Sequence, residues 1–132
     1  MAISKADDGA VLIVDDDEDI REILTELLLA EGYEVATSAN GREALEYLRS
    51  HVPPAVVVLD IMMPVMDGWA FLAERAADAS LSSIPVIIAS ANLDLIQRSE
   101  LQLYDRLPKP FDTSRLLKIV AKWVRGAPSV TE

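Results

Sequence analysis

A short apolar run in the middle of the chain ends on a single acid. Residues 56–59 are three valines and a leucine, and Asp60 follows them directly. Such a run is too short for a typical helix and predicts a strand buried on both faces, as in a parallel sheet covered by helices. Because an unpaired carboxylate is costly to dehydrate, Asp60 is expected where the strand emerges, at the edge where α/β sheets bind ligands. On this motif alone, a polar strand terminator or helix N-cap explains Asp60 equally well.

Strand and helix patterns alternate five times along the chain. Strands are predicted at residues 10–14, 34–38, 56–60, 86–90 and 104–107. This alternation predicts one doubly wound α/β domain, (βα)5, with a five-stranded parallel sheet in the order 2-1-3-4-5. We expect the domain at residues 10–125, between tails at 1–9 and 126–132. The apolar residues that share one face of the predicted third helix are Trp69, Leu72, Ala73 and Ala76.

Composition excludes several classes of function. The net charge is −10 and no run of Lys or Arg exists, so direct nucleic-acid binding through phosphate neutralisation is not expected. The absence of cysteine excludes disulfides and thiolate metal sites. No apolar run approaches the ~20 residues that span a bilayer, and the first nine residues do not resemble a signal peptide. We therefore expect a cytoplasmic protein that does not bind membranes.

Three carboxylates are predicted to meet at one edge of the sheet, because the strand order places the ends of strands one and three side by side. Asp15, Asp16 and Asp60 lie at those ends. Lys109, just past the fifth strand, compensates only one of the three charges, and Mg²⁺ is the hard cation that suits the remaining deficit. Asp15 and Asp60 could bind it directly or through water, with the backbone carbonyl of Met62 as a further ligand. Alone, the acid run after strand one is better explained as a solvated helix start, favoured by the helix dipole.

Ser90 ends the predicted fourth strand, at the same edge of the sheet. A hydroxyl beside a lysine, a metal and an exposed carboxylate indicates a site for a phosphoryl group. An aspartate is a competent acceptor that forms an acyl phosphate. In isolation, Ser90 is better explained by bonds to local backbone, and Lys109 by a surface salt bridge.

Four motifs together resemble the receiver domain of two-component response regulators, of the CheY-like superfamily. They are VDD at 14–16, LDIMMPVMDG at 59–68, SA at 90–91 and LPKPF at 107–111. The resemblance covers roughly residues 10–125 and implies a flavodoxin-like fold. Four motifs in the right order and spacing make a specific signal, although no single one is decisive.

The resemblance implies a role for each residue at this edge. Asp60 matches the phosphoacceptor, which takes its phosphoryl group from a histidine kinase or a histidine phosphotransfer protein. Asp15 and Asp16 match the acidic pair that binds Mg²⁺. Ser90 matches the switch hydroxyl, and Lys109 matches the lysine of the family, whose bond to the following proline is usually cis there.

Two departures from the family concern the surface through which such a domain signals to its partner. The family usually has an aromatic residue three positions before the lysine, and Arg106 stands there, with Tyr104 two residues away. The stretch from Ser90 to Lys109 is also shorter than usual, and its predicted helix at 93–103 is weakly periodic. Our hypothesis is that the protein signals through a nonstandard fourth-helix region. The alternative, that the shorter segment is an ordinary helix and Arg106 points to solvent, has equal weight.

Three functions are consistent with these residues. The first is a stand-alone receiver that switches an unknown downstream protein or relays the phosphoryl group, as a monomer or weak homodimer, and is no enzyme beyond slow self-dephosphorylation. The second is a Mg²⁺-dependent phosphatase with Asp60 as nucleophile. Haloacid-dehalogenase-like enzymes usually carry a second acid two residues later, where Met62 stands here. The third is a receiver-like interaction module without phosphorylation, which the intact set of site residues argues against.

Overall fold

The computed structural model describes residues 10–91 and 105–124. Its strands are β1 (Val11–Val14), β2 (Val35–Ser38), β3 (Val56–Asp60), β4 (Val86–Ser90) and β5 (Asp105–Pro108). They form one parallel sheet in the order β2-β1-β3-β4-β5. The predicted doubly wound, flavodoxin-like class and its strand order are therefore confirmed.

Four helices lie in the described part of the chain. They are α1 (Glu18–Ala30), α2 (Gly41–Ser50), α3 (Gly68–Ala77) and α4 (Thr113–Trp123). Each begins after a polar N-cap whose side chain accepts a first-turn N–H, namely Asp17, Asn40, Asp67 and Asp112. The helix predicted at 93–103, which would complete (βα)5, and the predicted tails at 1–9 and 126–132 lie outside the described residues.

The core has two layers because the central strands are buried on both faces. Alternate residues of β1 and β3 point to opposite sides of the sheet, as the two-residue strand period requires. Leu12 and Leu59 pack with Phe71 of α3 on one side. Ile13 packs with Leu116 of α4 on the other. The valine-rich run at residues 56–59 is thus covered by helices on each face.

The apolar face predicted for α3 is only partly the buried one. Ala73 and Ala76 are exposed, whereas Phe71 and Arg75 are buried with Leu72. The Arg75 guanidinium is buried because backbone carbonyls satisfy it: Nε donates to Ile84 O at 2.9 Å. Two alanines bury little apolar area, so one aromatic ring and one satisfied arginine decide which face of the helix turns inward.

No helix among the described residues is long and apolar enough to cross a bilayer. The parallel arrangement instead brings the carboxyl ends of all five strands to one edge of the sheet. The loops that leave this edge carry the polar residues singled out in the sequence.

Candidate functional site

Three aspartates cluster at the carboxyl edge of the sheet. Asp15 follows β1 and Asp60 ends β3, and these strands are direct neighbours in parallel register. Asp15 is 3% exposed and Asp60 is 7% exposed, whereas Asp16 faces solvent. Each contributes a carboxylate oxygen, and these oxygens all lie within 4.8 Å of one another. Two nearly buried acids and one exposed acid therefore converge at one point of the sheet edge.

Lys109 compensates part of this negative charge. Its Nζ donates to Asp15 Oδ2 at 2.6 Å and lies 3.7 Å from Asp60 Oδ2. The lysine is held in place by its backbone, since its N–H donates to the Ser90 carbonyl at 3.0 Å. The Lys109–Pro110 peptide bond is cis. The side chain thus bridges two of the three acids, with its shorter contact to Asp15.

Asp15 is fixed by its backbone as well as by Lys109. Its N–H donates to the Ser38 carbonyl at 3.2 Å, and its Oδ1 accepts the N–H of Asp17 at 2.9 Å. Its own carbonyl accepts Nη1 of Arg21 at 2.7 Å. Sequence reasoning missed Arg21, because an arginine early in a helix is usually solvated. Its position one helical turn past the acid run is the signal that could have suggested this contact.

Asp60 has an unusual protonation equilibrium. Burial raises the pKa of Asp60 to about 6, and the negative charge of Asp15 adds to this rise, while the nearby Lys109 ammonium and the Met62 N–H oppose it. The Met62 N–H lies 3.4 Å from Asp60 Oδ1, at the long end of hydrogen-bond geometry. At neutral pH the carboxylate is therefore still mostly ionised, although it is poorly compensated.

The loop after β3 packs closely against the start of α3. Gly68 begins α3 and donates its N–H to the Ile61 carbonyl at 2.8 Å, and a Cβ there would lie 2.7 Å from Ile61 Cα. Met66 donates to the Pro64 carbonyl at 2.7 Å across Val65, whose φ is 68°. This is a γ-turn with a positive φ, a strained geometry for a β-branched residue. Only a glycine lets α3 start so close to the strand end.

The remaining predicted site residues lie on or near this edge. Ser90 ends β4, is 2% exposed and pairs with Pro108 of β5. The Met62 side chain is 64% exposed, close to Asp60 in the chain but directed largely to solvent. Arg106 of β5 lies opposite Ile88 of β4 and is half-buried. Tyr104 lies outside the described residues.

The donor set fits a hard divalent cation. Carboxylate oxygens from three residues converge within 4.8 Å, and Lys109 is the ammonium that bridges Asp15 and Asp60. Mg²⁺ and Ca²⁺ prefer such oxygen donors, and Mg²⁺ needs few carboxylates because it keeps several waters. The described residues of this cluster contain no soft donor. The geometry can thus hold a cation next to an ionised carboxylate that is placed to act as a nucleophile.

The relatives of this chain are regulators. The "Response regulator Rre1" of Synechocystis sp. is 39% identical over 115 residues, which cover 84% of this chain and 49% of that protein. The "Probable transcriptional regulator ycf27" of Porphyra purpurea is 37% identical over 124 residues, which cover 92% of this chain and 49% of that protein. The chain therefore spans about half the length of these curated relatives.

A solved structure and a family model are similar to this chain in the same way. The response regulator protein TrrA from Thermotoga maritima, solved in complex with Mg²⁺-BeF, matches with a TM-score of 0.78 and 31% identity, over 88% of this chain and 99% of that one. The sequence profile described as "Response regulator receiver domain" matches residues 11–121. The chain belongs to the receiver-domain family of two-component response regulators.

Proposed function

We propose that Asp60 is phosphorylated by a histidine kinase or a histidine phosphotransfer protein in a Mg²⁺-dependent reaction. The phosphorylated chain then switches a protein-interaction surface or relays the phosphoryl group. The observation that carries this proposal is the position of Asp60. One of its carboxylate oxygens lies within 4.8 Å of an oxygen of Asp15 and of Asp16, and its Oδ2 lies 3.7 Å from Lys109 Nζ. A buried carboxylate between a cation-binding pair and an ammonium suits the role of a phosphoryl acceptor.

The chain's own residues divide the work of transfer. The ionised Asp60 oxygen attacks phosphorus, an O–P bond replaces the N–P bond of the donor histidine, and the imidazole leaves with the electron pair. Lys109 Nζ moves from Asp15 to a phosphoryl oxygen, a short shift because it already lies 3.7 Å from Asp60. The Ser90 hydroxyl, at the end of the neighbouring strand, donates to another phosphoryl oxygen.

The proposed cation ligands are Asp15, Asp16, Asp60 and the backbone carbonyl of Met62. When bound, Mg²⁺ supplies neutralisation of the charge on the phosphoryl oxygens. The three carboxylates support this assignment because their oxygens already converge without a competing soft donor. A structure of TrrA in complex with Mg²⁺-BeF gives a precedent for that protein.

Intact mass measurement tests the proposal. The protein is incubated with Mg²⁺ and a small phosphoryl donor, and we expect the mass of one phosphoryl group to be added to the wild type. Asp60→Asn and wild type with excess chelator should gain nothing. An unmodified wild type, or an adduct that persists in the Asp60→Asn variant, would overturn the assignment.

The phosphatase alternative is disfavoured by one observation. Met62 stands where haloacid-dehalogenase-like enzymes usually carry a second acid, and its side chain is 64% exposed, with no proton to exchange. Multiple turnovers on a generic phosphate ester would revive that alternative. Absence of phosphorylation would instead favour the interaction module.

We propose a receiver domain at residues 10–125 that acts in the cytoplasm as a monomer or weak homodimer on an unknown downstream protein. Direct nucleic-acid binding by this chain is not expected from its net charge of −10. The relative named as a probable transcriptional regulator is about twice as long as the region it shares with this chain.

We propose that the segment around the helix predicted at residues 93–103 is the region through which the protein signals. Arg106 replaces the usual aromatic residue and is half-buried in β5. Hydrogen exchange with and without Mg²⁺ and a phosphoryl analogue should show a change of protection across residues 91–106. Unchanged protection over these residues would eliminate the hypothesis that the protein signals through the region of the helix predicted at 93–103.

A further inference from the structure

Arg21 reaches from α1 back to the turn that carries the acid pair. Its Nη1 donates to the Asp15 carbonyl at 2.7 Å, while its backbone N–H donates to the Asp17 carbonyl at 3.1 Å. The side chain is half-buried. One residue therefore bonds the strand end and the helix start at once, and it bridges the residues that flank Asp16.

Arg21 bonds to a backbone carbonyl although several carboxylates lie near it. Arg21 lines a groove of about 520 Å³, and the acids that line the same groove are Glu18, Glu22 and Glu26. Among the described residues, none of these carboxylates forms an ion pair with Arg21, whose guanidinium bonds the neutral Asp15 carbonyl instead. Because a guanidinium usually bonds more strongly to a carboxylate, this choice indicates that local geometry directs it to the turn.

The contact matters most when Lys109 leaves Asp15. In the proposed reaction, Lys109 Nζ moves toward the phosphoryl group, so Asp15 loses its 2.6 Å partner. The bonds that then hold Asp15 are those to Ser38, Asp17 and Arg21. The bond from Arg21 carries a full positive charge and is the shortest of these three, so it is the strongest remaining restraint on the turn.

We propose that Arg21 is a positioning residue for the cation site. It holds the Asp15 backbone so that the carboxylates of Asp15 and Asp16 face Asp60, and it touches no reacting atom. This inference rests on the proposed Mg²⁺-dependent phosphorylation of Asp60. The positive charge of Arg21 by itself opposes cation binding, so positioning and electrostatics predict opposite effects when the residue is removed.

Calorimetric titration of Mg²⁺ into the folded protein, without any phosphoryl donor, separates these effects. We expect Arg21→Ala to bind Mg²⁺ about tenfold more weakly than wild type, the size typical of lost outer contacts to metal ligands. Arg21→Lys keeps a charged donor and should stay within about threefold of wild type. Arg42→Ala is the matched control, because it removes an exposed positive charge from the first turn of α2 at the same edge and should leave the affinity unchanged.

Urea unfolding of each variant in Mg²⁺-free buffer accompanies the titration, so that the affinity is measured on folded protein. An Arg21→Ala variant that binds Mg²⁺ as tightly as wild type or more tightly would overturn the inference, as would an Arg21→Lys variant as weak as Arg21→Ala. A wild type and Arg42→Ala that both fail to bind Mg²⁺ would instead overturn the proposed function. The two failures are thus distinguished by the behaviour of the wild type.

Discussion

Replacing the central acid with its neutral amide should stabilise the fold at neutral pH. Burial raises the pKa of Asp60 from 3.8 to about 6, so the folded state binds this proton more tightly than the unfolded state. The stability contribution of the protonated acid is therefore fully present below pH 3.8 and is lost as the pH rises through 6. Asp60→Asn never carries the charge and should keep that contribution at every pH.

The magnitude follows from the difference of about 2 pH units between the folded and unfolded pKa values. At about 1.4 kcal/mol for each pH unit, the upper limit is about 3 kcal/mol. Water reaches the site beside the exposed Asp16, and solvent screening reduces the effect to about 1–2 kcal/mol at pH 7.5. This corresponds to a rise in Tm of about 5 °C for a domain of this size.

Urea unfolding followed by tryptophan fluorescence, at several pH values from 7.5 to below 4 in Mg²⁺-free buffer, measures the difference between variant and wild type. We expect Asp60→Asn to be more stable at pH 7.5, and its advantage to shrink through pH 6 and vanish near the unfolded pKa. Asp112→Asn is the control, because it changes an exposed N-cap to an equally good one. The reasoning is refuted if Asp60→Asn is no more stable at pH 7.5, or if its advantage is the same at low pH.

Three further substitutions test other parts of the site. Gly68→Ala should lower the free energy of unfolding by about 2 kcal/mol in thermal melts, because a Cβ would lie 2.7 Å from Ile61 Cα; an unchanged melt would contradict the close approach. Lys109→Met should cost about 2 kcal/mol of stability at pH 7.5 and less at low pH, since it leaves the acids uncompensated; equal losses in urea at both pH values would argue against an electrostatic cause. Met62→Asn should shorten the lifetime of the proposed acyl phosphate by a factor of a few, because we expect the apolar side chain two residues after Asp60 to hinder attacking water; an identical dephosphorylation rate would contradict this expectation.

The sheet could be predicted from sequence because its central strands have one physical solution. Short apolar runs such as 56–59 are stable only where both faces are covered, and alternation with helices then leaves few topologies. The edge where Asp15, Asp16 and Asp60 meet follows from that topology without any side-chain detail. Sequence periodicity and strand order are sufficient for these features.

Long polar side chains were harder to predict. Arg75 and Arg21 both donate to backbone carbonyls, and no residue pattern marks a carbonyl as a partner. The face of α3 was partly mispredicted for the same reason, since apolar periodicity does not mark an arginine that is buried against backbone carbonyls. That Lys109 lies closer to Asp15, at 2.6 Å, than to Asp60, at 3.7 Å, is a difference too small for a linear sequence to encode.

The close packing of Gly41 against the loop after β3 constrains how this protein moves. The Gly41 N–H donates to the Met66 carbonyl at 2.9 Å, and a Cβ on Gly41 would lie 2.8 Å from Met66 Cγ. Because the two segments are in close contact, a rearrangement of that loop also displaces the start of α2. A change at Asp60 that shifts the loop would therefore also move the start of α2, beside the β2 border of the sheet.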